Sequence, residues 1–250
     1  MSFNSAKESS FINGSVIFCV LSQHLLLLLA IEKQAAGIFK AKLDNHSILS
    51  SLSEVPIMFN ICVFCASAMP KSEQISCDCA AFADYLVKGG HSLVYGGASV
   101  GLMWLVAGRV ATCGGKIIGI MPKFLTNREI SAAKIDESYI VSDMAERKAM
   151  MIEKSDAFVI LPGGVGTLDE FFEVVCLSSL GKVRKPIVVL NSAGFFDDLI
   201  KFMERTHQEG VLALPYSRYF TVVDKPEEVI PAIENFQLPP VPSWVLPDED

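Results

Sequence analysis

The chain has 250 residues, is 51% hydrophobic and carries 21 Lys and Arg against 28 Asp and Glu, a formal net charge of -7. That length and apolar content suit one large globular domain or two small ones with a substantial core. The acidic balance, with no Lys/Arg run, argues against a broad nucleic-acid footprint and an anionic-membrane patch, but a small anion pocket needs only one or two cations and stays open.

Seven cysteines, an odd number, are scattered along a chain too long to need disulfide staples, which points to reduced thiols and a cytoplasmic setting. Cys62 and Cys65 have CxxC spacing, and Cys77 and Cys79 follow. The first pair sits in an apolar, strand-like run with no His nearby, whereas a structural zinc site wants four convergent ligands on turns, so no metal is expected.

Along the chain, residues 1–57 stand apart: a polar, Ser-rich start, the apolar run Ser15 to Ile31, then a polar stretch ending at Pro56. Gln23 and His24 interrupt the apolar run, which falls short of the roughly 20 residues a spanning helix needs, and Lys7 sits beside Glu8 rather than in a basic cluster. This segment reads as an N-terminal extension, poorly ordered or foreign to the native product. Met58 reads as a natural start on a first buried strand, and residues 58–236 as the folded domain. The end, residues 237–250, is proline-rich and acidic and reads as a surface tail.

From Phe59 onward, short apolar runs alternate with segments of helical spacing. The predicted strands are Phe59 to Cys65, Ser92 to Tyr95, Lys116 to Met121, Tyr139 to Val141, Ala157 to Leu161, Pro186 to Leu190 and Tyr219 to Val223. Near-continuous apolar runs such as IVVL imply burial on both faces, and the alternation implies an α/β fold: a Rossmann-like, doubly wound, mostly parallel sheet with helices on both sides. Ligands of such sheets bind beyond the carboxyl ends of the strands.

Three strand-to-helix junctions are rich in Gly, Ala and Ser: Cys65 to Ser72, Tyr95 to Met103, and Leu161 to Glu170. Small residues let backbone approach a ligand and aim free N–H groups at an anion. One such loop needs only tight turns to explain it; three on one sheet edge form a continuous floor. Standard nucleotide fingerprints do not fit, since GGVGTLD lacks the last glycine of GxGxxG and no GxxxxGK[ST] occurs.

In the helix after the third loop, Leu168, Phe171, Phe172, Val175 and Ser179 share a face expected to pack on the sheet. Glu170, Glu173, Val174, Leu177 and Leu180 lie toward another, whose apolar members suggest a second subunit. Thr167 is read as an N-cap, Asp169 as a dipole partner and Glu170 as a functional carboxylate. In VSDMAERKAMM, Ser142 or Asp143 caps a helix whose first turns carry Arg147 and Lys148, cations where the dipole disfavours them; an anionic ligand at that edge explains their placement.

With PGGVGTLDE (Pro162 to Glu170), MAERK, YGGASVGLM and VFCAS in order, the chain resembles the LOG family, the cytokinin riboside 5'-monophosphate phosphoribohydrolases, from about Phe59 to about Asn235. The resemblance implies a Rossmann-like homodimer, with no metal or organic cofactor, that hydrolyses the N-glycosidic bond of a nucleoside 5'-monophosphate to free base and ribose 5-phosphate. It implies Arg147 and Glu170 as the catalytic pair. It implies substrate contacts at Ser67, Gly97, Glu129 and Lys148 and along Gly163, Gly164, Val165, Gly166, Thr167, Leu168 and Asp169. Where the family usually shows Gly, this chain has Ala66, Ala98 and Trp104, and where it shows His, Ala145. No nucleic-acid or membrane partner is expected.

The residues suit that chemistry, because cleaving a ribosyl C1'–N bond builds positive charge on the sugar and negative charge on the base. Two other readings remain: an AMP or purine nucleotide nucleosidase without a hormone role, and a non-catalytic nucleotide sensor, which would not need Arg147 and Glu170 together. A lysine decarboxylase would need Lys148 set up for a Schiff base, and the sequence offers it no such surroundings.

Overall fold

The structure is a computed structural model, and it describes residues 58–126 and 135–243. Its strands are β1 (Asn60–Phe64), β2 (Ser92–Tyr95), β3 (Ile117–Pro122), β4 (Glu137–Val141), β5 (Ala157–Ile160), β6 (Ile187–Leu190) and β7 (Thr221–Val223). All seven pair in parallel in the order β4-β3-β2-β1-β5-β6-β7. Each run of apolar residues singled out in the sequence is a strand, with ends shifted by up to two residues.

The described helices are α1 (Glu73–Lys88), α2 (Gly101–Thr112), α3 (Met144–Glu153), α4 (Val165–Ser179), α5 (Asp197–Gln208) and α6 (Val229–Glu234). Local chemistry starts two of them. The Ser72 hydroxyl accepts from the Ile75 N–H at the head of α1. At α3 Asp143 accepts from Glu146 N–H at 2.9 Å, and the Glu146 carboxylate in turn takes the Ser142 N–H at 2.7 Å. Asp143 is therefore the cap, and Ser142 braces it.

The strands alternate their side chains between two cores. Ile61, Val63 and Cys65 of the β1 region join α1, α2 and α6 on one face, whereas Cys62 and Phe64 join α3, α4 and α5 on the other. Cys62 and Cys65 thus point to opposite sides of the sheet and cannot share a metal. On the second face Phe64 stacks on Phe158 at 6.0 Å and Phe171 of α4 meets Phe220 edge-on at 5.1 Å. Each such buried ring contributes about 1.5–3 kcal/mol relative to exposure, which fixes α4 on the sheet.

The buried face of α4 differs from the predicted one. Thr167, Glu170, Phe171, Val174, Val175 and Ser178 point inward, while Phe172 is 37% exposed. The stripe is rotated because two polar residues are buried, Thr167 packed against Gly163 and Glu170 facing Arg147, which apolar spacing alone does not register. Val174 accordingly belongs to the core and not to a subunit contact.

The strand order reverses between β1 and β5, so the loops leaving these strands part in opposite directions and open a crevice at their carboxyl ends. Backbone hydrogen bonds tie the three small-residue loops together there: Ala66 N–H donates to Pro162 O and Leu102 N–H donates to Ala66 O, both at 3.1 Å. Farther off, the chain after α6 crosses back over the fold, where Arg184 donates to Pro239 O at 3.2 Å. Among the described residues, no helix is long and apolar enough to cross a membrane.

Candidate active site

A cavity of about 390 Å³ fills the crevice. The loop after β1 supplies Cys65 to Ala68, the end of β2 supplies Gly96, and α3 supplies Met144, Arg147 and Met151. The start of α4 supplies Gly164 to Thr167, Asp169 and Glu170, and Met103 and Leu125 complete the wall.

The part of the cavity with free backbone donors follows from how α4 begins. Its N-cap is Gly164, which has no side chain to satisfy the first N–H groups, unlike Ser72 and Asp143 at α1 and α3. Those N–H groups, at the positive end of the helix, face the cavity where a phosphate would be stabilised. Thr167 is not the cap. It is the third residue of the helix, buried beneath the turn, and a Cβ on Gly163 would overlap its Oγ1. Gly163 is required for that close packing, and Gly164 to Gly166 remain open to the cavity.

Beside this cradle lie two charged side chains that are almost fully buried, Arg147 at 8% and Glu170 at 9% exposure. Arg147 Nη1 is 3.5 Å from Glu170 Oε1, and Arg147 Nε donates to Ile120 O at 3.3 Å. The guanidinium passes close over Gly96, where any Cβ would collide with Nη2. Burial pushes the Glu170 carboxyl up to about 7, with Asp169 and Glu173 reinforcing the rise and Arg147 and Lys148 opposing it. A carboxyl poised near neutrality can exchange a proton during a reaction at physiological pH. The Cys65 thiol, also at the cavity, is pushed well up by burial and stays protonated.

Of the residues named from the sequence, Ser67, Gly164, Val165, Gly166, Thr167, Asp169, Arg147 and Glu170 line one cavity. Gly97, Gly163, Lys148 and Leu168 do not line it. Gly97 turns at φ +76° against Met121, and Leu168 packs against the core under α4. Lys148 turns toward the flank of α4, its Nζ 3.0 Å from Asp169 Oδ2 and 2.7 Å from Glu173 Oε2. Glu129 lies outside the described residues. Trp104, the largest departure from the family pattern, is 39% exposed on α2 and does not line the cavity, although its neighbour Met103 does.

Sequence reasoning missed Gly96 and the apolar wall. The spacing of Met144, Arg147 and Met151, which puts all three on one helix face, carried a signal for the wall. Among the described residues no three His, Cys, Asp or Glu side chains converge as metal ligands.

Residues 103–233 match a family model described as "Possible lysine decarboxylase". The chain is 41% identical over 177 residues to a probable cytokinin riboside 5'-monophosphate phosphoribohydrolase, LOGL2 of Oryza sativa subsp. japonica, covering 70% of this chain and 72% of that one. It is 38% identical over 177 residues to the cytokinin riboside 5'-monophosphate phosphoribohydrolase LOG7 of Arabidopsis thaliana, covering 71% and 82%. In fold it is similar to the molybdenum cofactor binding protein of Rippkaea orientalis, with a TM-score of 0.54 at 19% identity over 70% of this chain and 95% of that one. The molybdenum cofactor carrier protein of Chlamydomonas reinhardtii matches with a TM-score of 0.53 at 21% identity, over 70% and 96%. At those identities the structural likeness concerns the fold alone.

Proposed function

Because the chain belongs to the family of cytokinin riboside 5'-monophosphate phosphoribohydrolases, we propose that it hydrolyses the N-glycosidic bond of a nucleoside 5'-monophosphate of the cytokinin riboside class, releasing free base and ribose 5-phosphate. The observation that carries the proposal is the buried Arg147–Glu170 pair set beside an uncapped helix start within one cavity.

The assignment of roles follows from the geometry. The 5'-phosphate sits at the N–H groups of Val165 and Gly166, where the helix dipole favours an anion. This anchors the ribose with C1' toward Glu170, so remote binding energy orients the reacting centre. As the C1'–N bond breaks, its electron pair leaves with the base, which takes a proton from solvent, and Glu170 afterwards returns to solvent the proton it gains from water. The ionised Glu170 stabilises the cationic sugar and draws a proton from the water that adds to C1'. Arg147 holds that carboxylate in place and offsets charge on the substrate. Met103, Met144, Met151 and Leu125 offer the base a pliable apolar wall, suited to a purine with an alkyl substituent.

The decarboxylase description of the family model does not fit Lys148. A Schiff-base lysine works as a free amine, yet the contact with Glu173, reinforced by Asp169, raises the Lys148 pKa and holds it charged.

The proposal extends to a homodimer in the cytoplasm. Val165, at 85% exposure, and Phe172 and Cys176 form an outward stripe on α4 at helical spacing, the kind of surface a second copy would cover. The free thiols of all six described cysteines agree with a reducing compartment. Light scattering is expected to give twice the chain mass; a monomeric mass excludes the dimer.

The substrate assignment is tested by incubating the protein with AMP, isopentenyladenosine monophosphate and adenosine and measuring free base. Release from both monophosphates is expected, faster from the isopentenyl compound, with adenosine at least ~100-fold slower because it lacks the phosphate anchor. No base from either monophosphate sinks the enzymatic reading. Equal rates for the two monophosphates favour a general purine nucleotide nucleosidase.

A further inference from the structure

Arg147 and Glu170 face each other at 3.5 Å, too far to lock one another by a short hydrogen bond, and they sit on different helices. Something else must hold α3 against α4. α3 has 10 residues, too few to be stable without tertiary ties. Its far end is anchored by Lys185 Nζ, which donates to Ile152 O at 2.7 Å. Its middle carries Lys148, the residue after Arg147, which leaves the cavity and reaches α4. There Nζ meets two carboxylates: Asp169, one residue before Glu170, and Glu173, one turn after it.

We infer that Glu173 is a positioning residue: with Asp169 it grips Lys148 and so sets the register of α3 on α4 that brings Arg147 opposite Glu170. This rests on the reaction assigned above. The two cross-helix contacts share their backbones, the inner one through Arg147 and Glu170, the outer one through their neighbours. Successive helix residues diverge by about 100°, so one helix pair presents both contacts side by side. The outer contact is the shorter, at 2.7 Å against 3.5 Å, so it defines the spacing of the two helices more closely than the inner one does. With side chains 18% and 33% exposed, such a partly exposed ion pair adds little to stability. A misplacement of about 1 Å at a reacting centre nevertheless costs on the order of 100-fold in rate.

The charged groups facing Glu170 are Arg147 and Lys148 from α3 and Asp169 and Glu173 from α4, with the thiols of Cys62 and Cys65 on the β1 side protonated. Removing Glu173 therefore takes away a negative neighbour, and removing Lys148 takes away a positive one.

The test compares Glu173→Gln and Lys148→Met with the wild type in steady-state kinetics on AMP, and follows the Glu170 carboxyl by 13C NMR titration, which needs no activity. Both variants are expected to lose about 10-fold or more in kcat with KM changed less than about 3-fold. The Glu170 titration should move to lower pH in Glu173→Gln and to higher pH in Lys148→Met. The double variant should be no slower than the worse single one, as expected for two residues acting as one unit. Should Glu173→Gln fail to fold, Glu173→Asp keeps the charge but shortens the reach, and should lower kcat while leaving the Glu170 titration in place.

Wild-type kcat in Glu173→Gln overturns the positioning role. So does an elevated KM confined to Lys148→Met, which would make Lys148 a substrate contact. If the wild type itself releases no base, the assigned reaction fails, and Glu170 titrations that do not shift in opposite directions overturn the ionic brace separately.

Discussion

Glu170→Gln is expected to lower kcat for base release by on the order of 10³-fold while leaving nucleotide affinity within a few-fold. The amide keeps the shape and the Phe171-side packing of α4 but can neither offset a cationic sugar nor accept a proton from water. The wild type should show the matching pH dependence. In the proposed mechanism Glu170 acts ionised, and burial raises its carboxyl to about 7, so kcat/KM should fall about tenfold per pH unit below that value and level off above it. Glu170→Gln should lack this limb. Full activity in the variant, or a flat wild-type profile between pH 5 and 8, removes Glu170 from the mechanism.

The same shift has a consequence for stability. A folded-state value raised from 4.5 to about 7 means that the folded protein holds the proton more tightly than the unfolded chain. The associated stability is fully present below pH 4.5 and lost as pH rises through 7. Glu170→Gln, a mimic of the protonated acid, should therefore stabilise the fold at pH 8 by on the order of 2–3 kcal/mol and have little effect near pH 4. A gain in Tm at pH 8 coupled to loss of activity marks a carboxylate kept in place for chemistry rather than for the fold.

The second large effect concerns Arg147. Arg147→Met should cost on the order of 10²–10³-fold in kcat/KM, because the guanidinium is the near-buried cation that faces Glu170 in the cavity. Loss of the charge should also push the Glu170 titration further up, since Arg147 opposes the effect of burial there. Gly96→Ala should reproduce most of the loss without touching a charged residue. A methyl group on Gly96 occupies the place of Arg147 Nη2 and forces the guanidinium off Ile120 O. Wild-type kinetics in Gly96→Ala would show that the observed Arg147 position is not the working one.

The sheet was legible because parallel strands buried on both faces leave uninterrupted apolar runs, and each run from Phe59 to Val223 became a strand. The loop Pro162 to Thr167 was legible for a related reason: glycines between two ordered segments mark close backbone approach. The face of α4 was misjudged because Thr167 and Glu170 count as polar in any periodicity, yet they are buried against Gly163 and Arg147. Gly96 escaped notice because its constraint comes from Arg147, which only the packing of α3 on the sheet brings near. Lys148 shares the charge of its neighbour but not its direction, and helical geometry plus the carboxylates of Asp169 and Glu173 decide which of the two faces the cavity.

In the proposed reaction the cavity between β1 and β5 breaks a C1'–N bond by adding water. Product analysis of a single nucleoside 5'-monophosphate taken to completion tests it most directly. Free base and ribose 5-phosphate are expected in equal amounts from the wild type, with Glu170→Gln producing neither at a comparable rate. Unchanged substrate, or nucleoside plus inorganic phosphate, would contradict it.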